Sequence, residues 1–326
     1  EFIKQQAELE QLVHDILKEA RQQGADQAEV SVSAEEGLGV SVRKGDLETL
    51  EFNQDRGFGI TVQFGQRRGT ASTTDSSVDA IKETVTAAKN IARFTEDDPY
   101  CGLADAELMP QQPEDLDMYH PWLLDPDAAQ QVAIECESAG LDVDARIVNS
   151  DGAQIGTQQG IRVYGNSHGF VGSYASTRHS LSCVLIGEDA NGMQRDYWYT
   201  VARSADELES AVHVGQTAGA RTVARLAPQK APTGTFPIML APQLASGLIG
   251  HLLGAISGGA QYRKASFLLD SLGQQVLPTW LSLQESPLLS RSLGGAYFDA
   301  DGVATRPNRF VDAGILNSYV LSAYSA

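Results

Sequence analysis

Polar and apolar residues alternate along the chain from Ala28 to Ser72. Successive side chains of a strand point to opposite faces, so a period of two predicts strands with one buried and one solvated face. The runs are short, and the residues between them are typical of tight turns. These turns are Glu35-Glu36-Gly37, Lys44-Gly45-Asp46, Asp55-Arg56-Gly57 and Gly65-Gln66. The sequence therefore predicts an antiparallel meander of short strands.

Helices are predicted on both sides of this meander. Residues 3–23 have apolar side chains at helical spacing and end at Gly24, and residues 77–94 form a second helix with Asp75 or Ser76 as its N-cap. The same order then returns, with a helix over 127–140, strands over 144–149, 154–165, 169–176, 180–187 and 194–201, and a helix over 205–226.

Local similarities support a duplication: Gly59-Ile-Thr-Val resembles Gly160-Ile-Arg-Val, and the segments that follow are also alike. We therefore predict an α+β fold of duplicated helix–antiparallel-meander–helix units, packed as two-layer α/β sandwiches.

Proline-rich joints divide the chain. Residues 97–126 are acidic and hold five prolines, and a second joint runs from Pro228 to Pro237. We predict an N-terminal α+β domain over 1–96, a linker over 97–126, a central α+β domain over 127–228 and a mixed, β-rich C-terminal domain over 229–326.

The C-terminal domain is expected to contain a buried strand over 236–240, then an apolar helix over 243–256 packed in the core. Turns are expected at residues 299–302 and 312–314, and a strand over 316–322. Because the chain stops just after this strand-like run, we expect the domain to be incomplete.

Charge and composition disfavour several classes of function. The chain of 326 residues has a formal net charge of −18 and a pI of about 4.6, which disfavours nucleic-acid binding and attachment to an anionic membrane surface. We find no secretory signal and no apolar run long enough to span a membrane. The three widely spaced cysteines suit a reducing compartment, and we expect a cytoplasmic protein.

The candidate site residues are few. His251 lies on the predicted apolar helix, but one turn away stand Gly247 and Ala255, which cannot bind a metal, and no His-Glu dipeptide occurs in the chain. His179 and Cys183 would lie on one strand face about 13 Å apart, too far to share an ion.

Tyr262, Arg263 and Lys264 form either a solvated corner or a cationic lip for a carboxylate or peptide carbonyl. Phosphate-loop, dinucleotide and G-x-S-x-G motifs are missing from the sequence.

With these features in order, the chain resembles the TldD/PmbA family, on the PmbA (TldE) side. The stretches that carry the resemblance are Gly59-Ile-Thr-Val, Gly69-Thr-Ala-Ser-Thr-Thr-Asp75, Val163-Tyr-Gly-Asn-Ser-His-Gly169, Ser176-Thr-Arg-His-Ser180, residues 250–259, Tyr262-Arg-Lys264 and Tyr324-Ser-Ala326.

The resemblance implies a two-protein cytoplasmic metallopeptidase in which a TldD-type subunit binds zinc through H-E-x-x-x-H on a helix. Here Gly250 and Ala255 stand where that subunit has its two histidines, and His251 stands where it has glutamate, so no zinc ligand carries over. The resemblance thus implies no cofactor in this chain and zinc in the partner. The family label "modulator of DNA gyrase" implies at most an indirect link, since the charge gives no support for DNA contact.

The leading hypothesis is a non-zinc subunit that completes a chamber around a TldD-like partner and helps to admit unfolded or leader peptides, which could add as strands to a sheet edge. Its candidate binding residues are His251, Tyr262, Arg263, Lys264, Arg178 and His179. The partner could also be a second copy of the chain. The alternatives are a peptide-binding regulatory module without catalytic duty and an autonomous homodimeric metallopeptidase.

Overall fold

The computed structural model describes residues 2–326, and its main feature is one six-stranded antiparallel sheet of order β3-β2-β1-β4-β5-β6. Each half of the sheet belongs to one helix–three-strand–helix unit, which confirms the predicted α+β class. The first unit contains α1 (Phe2–Gln22), β1 (Gln27–Arg43), β2 (Asp46–Phe64), β3 (Arg67–Thr73) and α2 (Val78–Phe94). The second contains α3 (Pro126–Leu141), β4 (Ile147–Asn166), β5 (Val171–Asp189), β6 (Gly192–Ala202) and α4 (Ala211–Ala224).

The two units are joined through equivalent strands. β1 pairs antiparallel with β4, from Glu29 opposite Asn166 to Val42 opposite Ala153, so the units share one continuous sheet. The order of strands then reads the same from either edge, as an approximate twofold axis between β1 and β4 requires. This topology makes β1 equivalent to β4 and β2 equivalent to β5. The similarity noted between residues 59–62 and 160–163 instead aligns β2 with β4, so it does not follow the structural equivalence.

The strands are much longer than predicted. Glu35-Glu36-Gly37 and Asp55-Arg56-Gly57 are not turns, because β1 and β2 run straight through them and pair with each other there. The predicted gaps within β4 and β5 are also bridged, with register shifts between Ile147 and Gly152. Of the four turns predicted in this meander, those at residues 44–45 and 65–66 are confirmed, as are the turns at 299–302 and 312–314 in the C-terminal region.

All four helices cover one face of the sheet, in two pairs. α1 and α2 bury Val30, Val32 and other apolar residues at one end of β1, whereas α3 and α4 bury Val40 and Val42 at the other end. The N-cap of α2 is Ser77, not Asp75 or Ser76, since its side chain accepts a hydrogen bond from Ala80 N. The predicted helix over 205–226 is a 3₁₀ turn followed by α4.

α3 and α4 cross at glycines. A Cβ added to Gly215 would lie far inside van der Waals contact with the carbonyl oxygen of Cys136, and one added to Gly140 would lie 2.7 Å from the Gly215 carbonyl oxygen. This close approach of two backbones explains why both positions lack a side chain.

The predicted linker is an ordered layer over the sheet between α1 and α3. Met118 O accepts a hydrogen bond from Thr177 N at 2.9 Å, and the Tyr119 hydroxyl donates to Gln159 Oε1 at 2.7 Å. Its proline density thus reflects an extended path rather than a loose one. The predicted domain boundaries stay a prediction.

The C-terminal residues differ most from expectation. Residues 236–240 form no strand, and the Ile238 and Met239 side chains are 82% and 95% exposed. The predicted core helix exists as α5 (Pro242–Ala255), but only Leu252 and Ala255 are buried on it, and open space surrounds Gly247, Gly250 and Gly254. An apolar sequence identifies a helix but supplies no neighbour to bury it.

The rest of this region is α6 (Gly258–Tyr262) and a small sheet of β7 (Leu283–Glu285), β8 (Asn308–Asp312) and β9 (Ile315–Leu316). The predicted strand over 316–322 is therefore wrong beyond Leu316. Within residues 2–326, no helix combines the length and the apolar character needed to cross a membrane.

Candidate functional site

The face of the sheet opposite the helices carries a polar groove of about 900 Å³. Its floor is β1, whose odd-numbered residues Ser31, Ser33 and Glu35 are exposed while the even-numbered residues between them are buried under the helices. The alternation that defines the strand therefore also places its polar side chains in the groove.

Small residues keep the groove deep. Gly59 pairs with Ser31, Gly57 pairs with Ser33 and Gly160 pairs with Glu35. A Cβ at Gly59 would lie 2.9 Å from the Ser31 hydroxyl oxygen, so any side chain there would fill the floor. The walls come from β3 on one side and from β4 and β5 on the other, and they include Ser72, Thr74, Arg162, Tyr174 and Ser176.

The groove offers hydrogen bonds and one cation. Arg162 forms no ion pair with a carboxylate of residues 2–326. Glu35 accepts a hydrogen bond from Gln158 Nε2 at 2.8 Å. Such a surface can bind and orient an extended polar chain, and Arg162 can hold a carboxylate or a peptide carbonyl.

Two aromatic residues of the C-terminal region, Tyr297 and Phe298, close one end of the groove, where they contact Tyr174. Tyr164, buried on β4, contacts Phe298, and its hydroxyl donates to Glu29 Oε2 at 3.0 Å. Burial raises the pKa of Glu29, although Arg68 at 3.0 Å opposes the shift. Burial, with the nearby Glu29 carboxylate, also raises the pKa of the Tyr164 hydroxyl.

A second cavity of about 320 Å³ adjoins this end. Glu29, Arg68, Cys101 and Tyr324 are among its lining residues, and the Tyr324 hydroxyl donates to Asp98 Oδ2 at 2.7 Å. The tyrosine therefore ties the C-terminal residues to the linker.

Arg178 and His179 are neighbours in sequence but point to opposite faces of β5. Arg178 is exposed and lines the polar face together with Gly156 and Ser180. His179 is fully buried on the helix side, where its Nδ1 lies 2.9 Å from Thr157 Oγ1 and its Nε2 lies 2.9 Å from the His120 carbonyl oxygen. Because a carbonyl can only accept, Nε2 carries the proton and Nδ1 accepts from the threonine. Burial lowers the pKa of His179, so the neutral ring is favoured.

The other candidate binding residues lie in the C-terminal region. His251 is exposed on α5, and Tyr262, Arg263 and Lys264 are exposed where α6 ends. Tyr262 is near enough to Tyr324 to contribute to its raised pKa, whose main cause is the hydrogen bond to Asp98. His251 and the Tyr262–Lys264 corner are not among the residues that line the groove or the cavity beside Arg178, so their role in binding stays a prediction.

A zinc site does not fit the residues described. No group of three or more His, Cys, Asp or Glu side chains within residues 2–326 is placed to share an ion. Gly250 and Ala255 of α5, which the family resemblance aligns with the histidines of the zinc motif, have no side-chain atom that could bind a metal.

The sequence reasoning missed the groove residues Ser31, Ser33, Arg162 and Tyr174. The signal was available, because they occupy alternate positions of the strands on the face predicted to be solvated. Without the order of the strands, however, nothing brings β1, β4 and β5 together.

Comparison with known proteins agrees with this architecture. Family models described as PmbA/TldA metallopeptidase match in three parts: domain 1 over residues 28–92, the central domain over 119–226 and the C-terminal domain over 233–326. The chain is 46% identical over 302 residues to "Metalloprotease PmbA" of Escherichia coli O157:H7, covering 93% of this chain and 67% of that protein. It is 45% identical over 321 residues to the Haemophilus influenzae homologue, covering 98% of this chain and 71% of that one.

Solved structures share the fold. A Bacteroides thetaiotaomicron protein named as a modulator of DNA gyrase is 25% identical, with a TM-score of 0.91 over 97% of this chain and 72% of that one. TldE from Thermococcus kodakarensis is 18% identical, with a TM-score of 0.80 over 97% of this chain and 71% of that one. The identities to the two metalloproteases and the three matching family models show that the chain belongs to the PmbA/TldD metallopeptidase family.

Proposed function

We propose that this chain is a subunit of a cytoplasmic TldD/TldE-type peptidase that binds peptide but leaves the hydrolytic zinc to a TldD-like partner. The observation that carries the proposal is the composition of α5. Glycine and alanine occupy its positions 250 and 255, which a zinc-binding H-E-x-x-x-H helix would fill with histidines. Zinc, held by the partner, would supply the activated water for peptide hydrolysis.

The polar groove supports peptide binding. Extended peptides present backbone groups and side chains at a regular repeat, and the hydroxyls of Ser31, Ser33 and Ser72 can hydrogen-bond to such a chain with little preference for its sequence. Arg162 can orient the bound segment through a carboxylate or a carbonyl. Folded proteins do not present such a strand, so unfolded or leader peptides are the expected substrates.

Reconstitution tests the proposal. The protein purified alone should contain less than about 0.1 zinc per chain and leave an unstructured peptide uncut, and adding a TldD-type partner should give cleavage. The matched variant Arg162→Gln should reduce cleavage by the reconstituted pair, whereas Arg146→Gln, outside the groove, should not. Stoichiometric zinc together with peptide cleavage in the lone protein would refute the proposal and favour the autonomous homodimeric peptidase.

A peptide-binding module without catalytic duty is the second candidate, because residues of this chain form the floor and both walls of the groove. It predicts tight binding of an unstructured peptide with no partner present. It also predicts no stimulation of cleavage when a TldD-type protein is added.

A further inference from the structure

The strand β2 is paired on both sides along seven of its 19 residues. These residues, Phe58–Phe64, lie between β1 and β3, whereas residues 46–57, which we call the open half, pair with β1 alone. Residues 46–55 are all exposed. In an antiparallel strand alternate residues direct N–H and C=O away from the existing partner, so about five residues of this half present unpaired backbone groups.

The equivalent half of β5 is capped by the chain itself. Thr177 N donates to Met118 O at 2.9 Å, and Thr177 O accepts from Arg203 Nη1 at 2.9 Å. Ser173 N donates to the Tyr297 hydroxyl at 3.1 Å. Within residues 2–326, no backbone segment or side chain plays this part along residues 46–54 of β2, so the approximate twofold symmetry is broken at this edge.

Cavities lie on both faces of the open half. On the helix side, a cavity of about 160 Å³ is lined by apolar side chains that include Leu38, Phe52 and Trp122, and by polar ones that include Glu36, Gln159 and His179. On the groove side, a cavity of about 270 Å³ is lined by three carboxylates and one cation, which are Glu35, Glu51, Asp55 and Arg178. A strand added here would place alternate side chains beside Phe52 on the helix side and beside Glu51 and Asp55 on the groove side.

Charge selects the occupant. The open half carries Asp46, Glu48, Glu51 and Asp55, and within residues 2–326 only Glu48 of these has an ion-pair partner, Arg43 at 3.9 Å. A second copy of β2 paired antiparallel about Leu50 would make the Glu51 carboxylates of the two strands diagonal neighbours on one face, which is unfavourable. A basic strand would meet opposite charges instead.

We propose that residues 46–56 of β2 bind an extended peptide in which basic and apolar residues alternate, with the apolar side chains toward Phe52 and the basic ones toward Glu51 and Asp55. The site rests on the proposed function only in taking peptide as the ligand class. It names the edge, the direction of the side chains and the charge that the ligand must carry.

The test is binding to the isolated protein, without partner or zinc. A labelled decapeptide of alternating Lys and Val should bind at least about tenfold more tightly than one of alternating Glu and Val, and added salt should weaken the binding. N-methylation of alternate amides gives two further peptides, one for each register. A single edge engages only one set of amides, so one peptide should lose about a hundredfold in affinity and the other should retain most of it.

Variants identify the surface. Glu51→Lys with Asp55→Lys should weaken binding of the Lys–Val peptide at least about tenfold, and the matched double change Glu83→Lys with Glu135→Lys, on exposed helix positions, should not. Equal losses for both N-methylated peptides, or equal binding to both double variants, would overturn the proposal. A dimer that Glu51→Lys with Asp55→Lys dissociates, without peptide binding, would instead assign the edge to a second copy and also overturn it.

This experiment separates the two proposals. Restored cleavage in the reconstituted pair without peptide binding here would refute the β2 site alone. Binding here without any restored cleavage would refute the peptidase subunit and leave the β2 site standing.

Discussion

Removal of the Glu137 carboxylate is the sharpest test of how the two units hold each other. Glu137 belongs to α3 of the second unit and is buried, with 1% of its surface exposed. Its Oε1 accepts from Lys44 N at 2.9 Å and its Oε2 from Gly45 N at 2.8 Å. These amides form the turn between β1 and β2 of the first unit, where both residues have positive φ values of 54° and 80°.

The expected loss follows from these two hydrogen bonds. A hydrogen bond to a charged group contributes about 1.5–3 kcal/mol, and water can replace part of this at the exposed residues Lys44 and Gly45. Relief of the carboxylate's desolvation offsets part of this. We expect Glu137→Ala to lower the free energy of unfolding by about 3 kcal/mol and Glu137→Gln, which keeps one acceptor, by about half as much.

Urea unfolding and hydrogen exchange measure the effect. Exchange of the Lys44 and Gly45 amides should accelerate by about a hundredfold in Glu137→Ala, since each 1.4 kcal/mol is a factor of ten. The control is Glu135→Ala, an exposed position of the same helix, which should change stability by less than about 0.5 kcal/mol. Equal stability of the two alanine variants, or unchanged exchange at the turn, would refute the argument.

Three further predictions test the packing. Burial lowers the pKa of His179, so the histidine of the unfolded chain is protonated first as the pH falls through about 6.5. The free energy of unfolding should therefore decrease from pH 7.5 to pH 5. Urea titrations should show a weaker dependence of this free energy on pH in His179→Gln. Gly215→Ala should destabilise by about 3 kcal/mol through overpacking, whereas Gly250→Ala on open α5 should stabilise by about 0.5–1 kcal/mol, and thermal melts should show these opposite signs. Arg203→Met should destabilise by about 3 kcal/mol and speed proteolysis near Ser292, because Arg203 donates to three backbone carbonyls in the native protein.

The sequence predicted the class of each element better than its length. Glu35-Glu36-Gly37 and Asp55-Arg56-Gly57 have the composition of turns, yet Glu35 pairs with Asp55 at the same level of the sheet. There β1 passes from the core under α1 and α2 to the core under α3 and α4, and only the linker covers it. Polar residues are tolerated in that gap, so a local pattern cannot distinguish it from a chain reversal.

The prediction that the apolar segment before and within α5 is buried was wrong for a different reason. Its composition predicts burial because apolar residues are most often inside. Burial requires a second surface, and neither periodicity nor propensity encodes where that surface is. Leu244 and Leu248 are 64% and 61% exposed in the structure. The site residues divide in the same way: Arg178 and His179 belong to one motif, yet Arg178 lies on the polar face and His179 is buried on the helix side.

The broken symmetry of the sheet connects these observations. Duplication gives each unit one strand whose first half extends beyond its outer neighbour, β2 in the first unit and β5 in the second. The connection between the units runs over the second of these half-edges, and residues 118 and 203 satisfy its backbone. A duplicated protein has one such connection for two equivalent edges, so the chain can cap only one of them this way. The edge that remains is the acidic half of β2, and this is why specificity for a basic strand can arise on one side of an otherwise symmetric sheet.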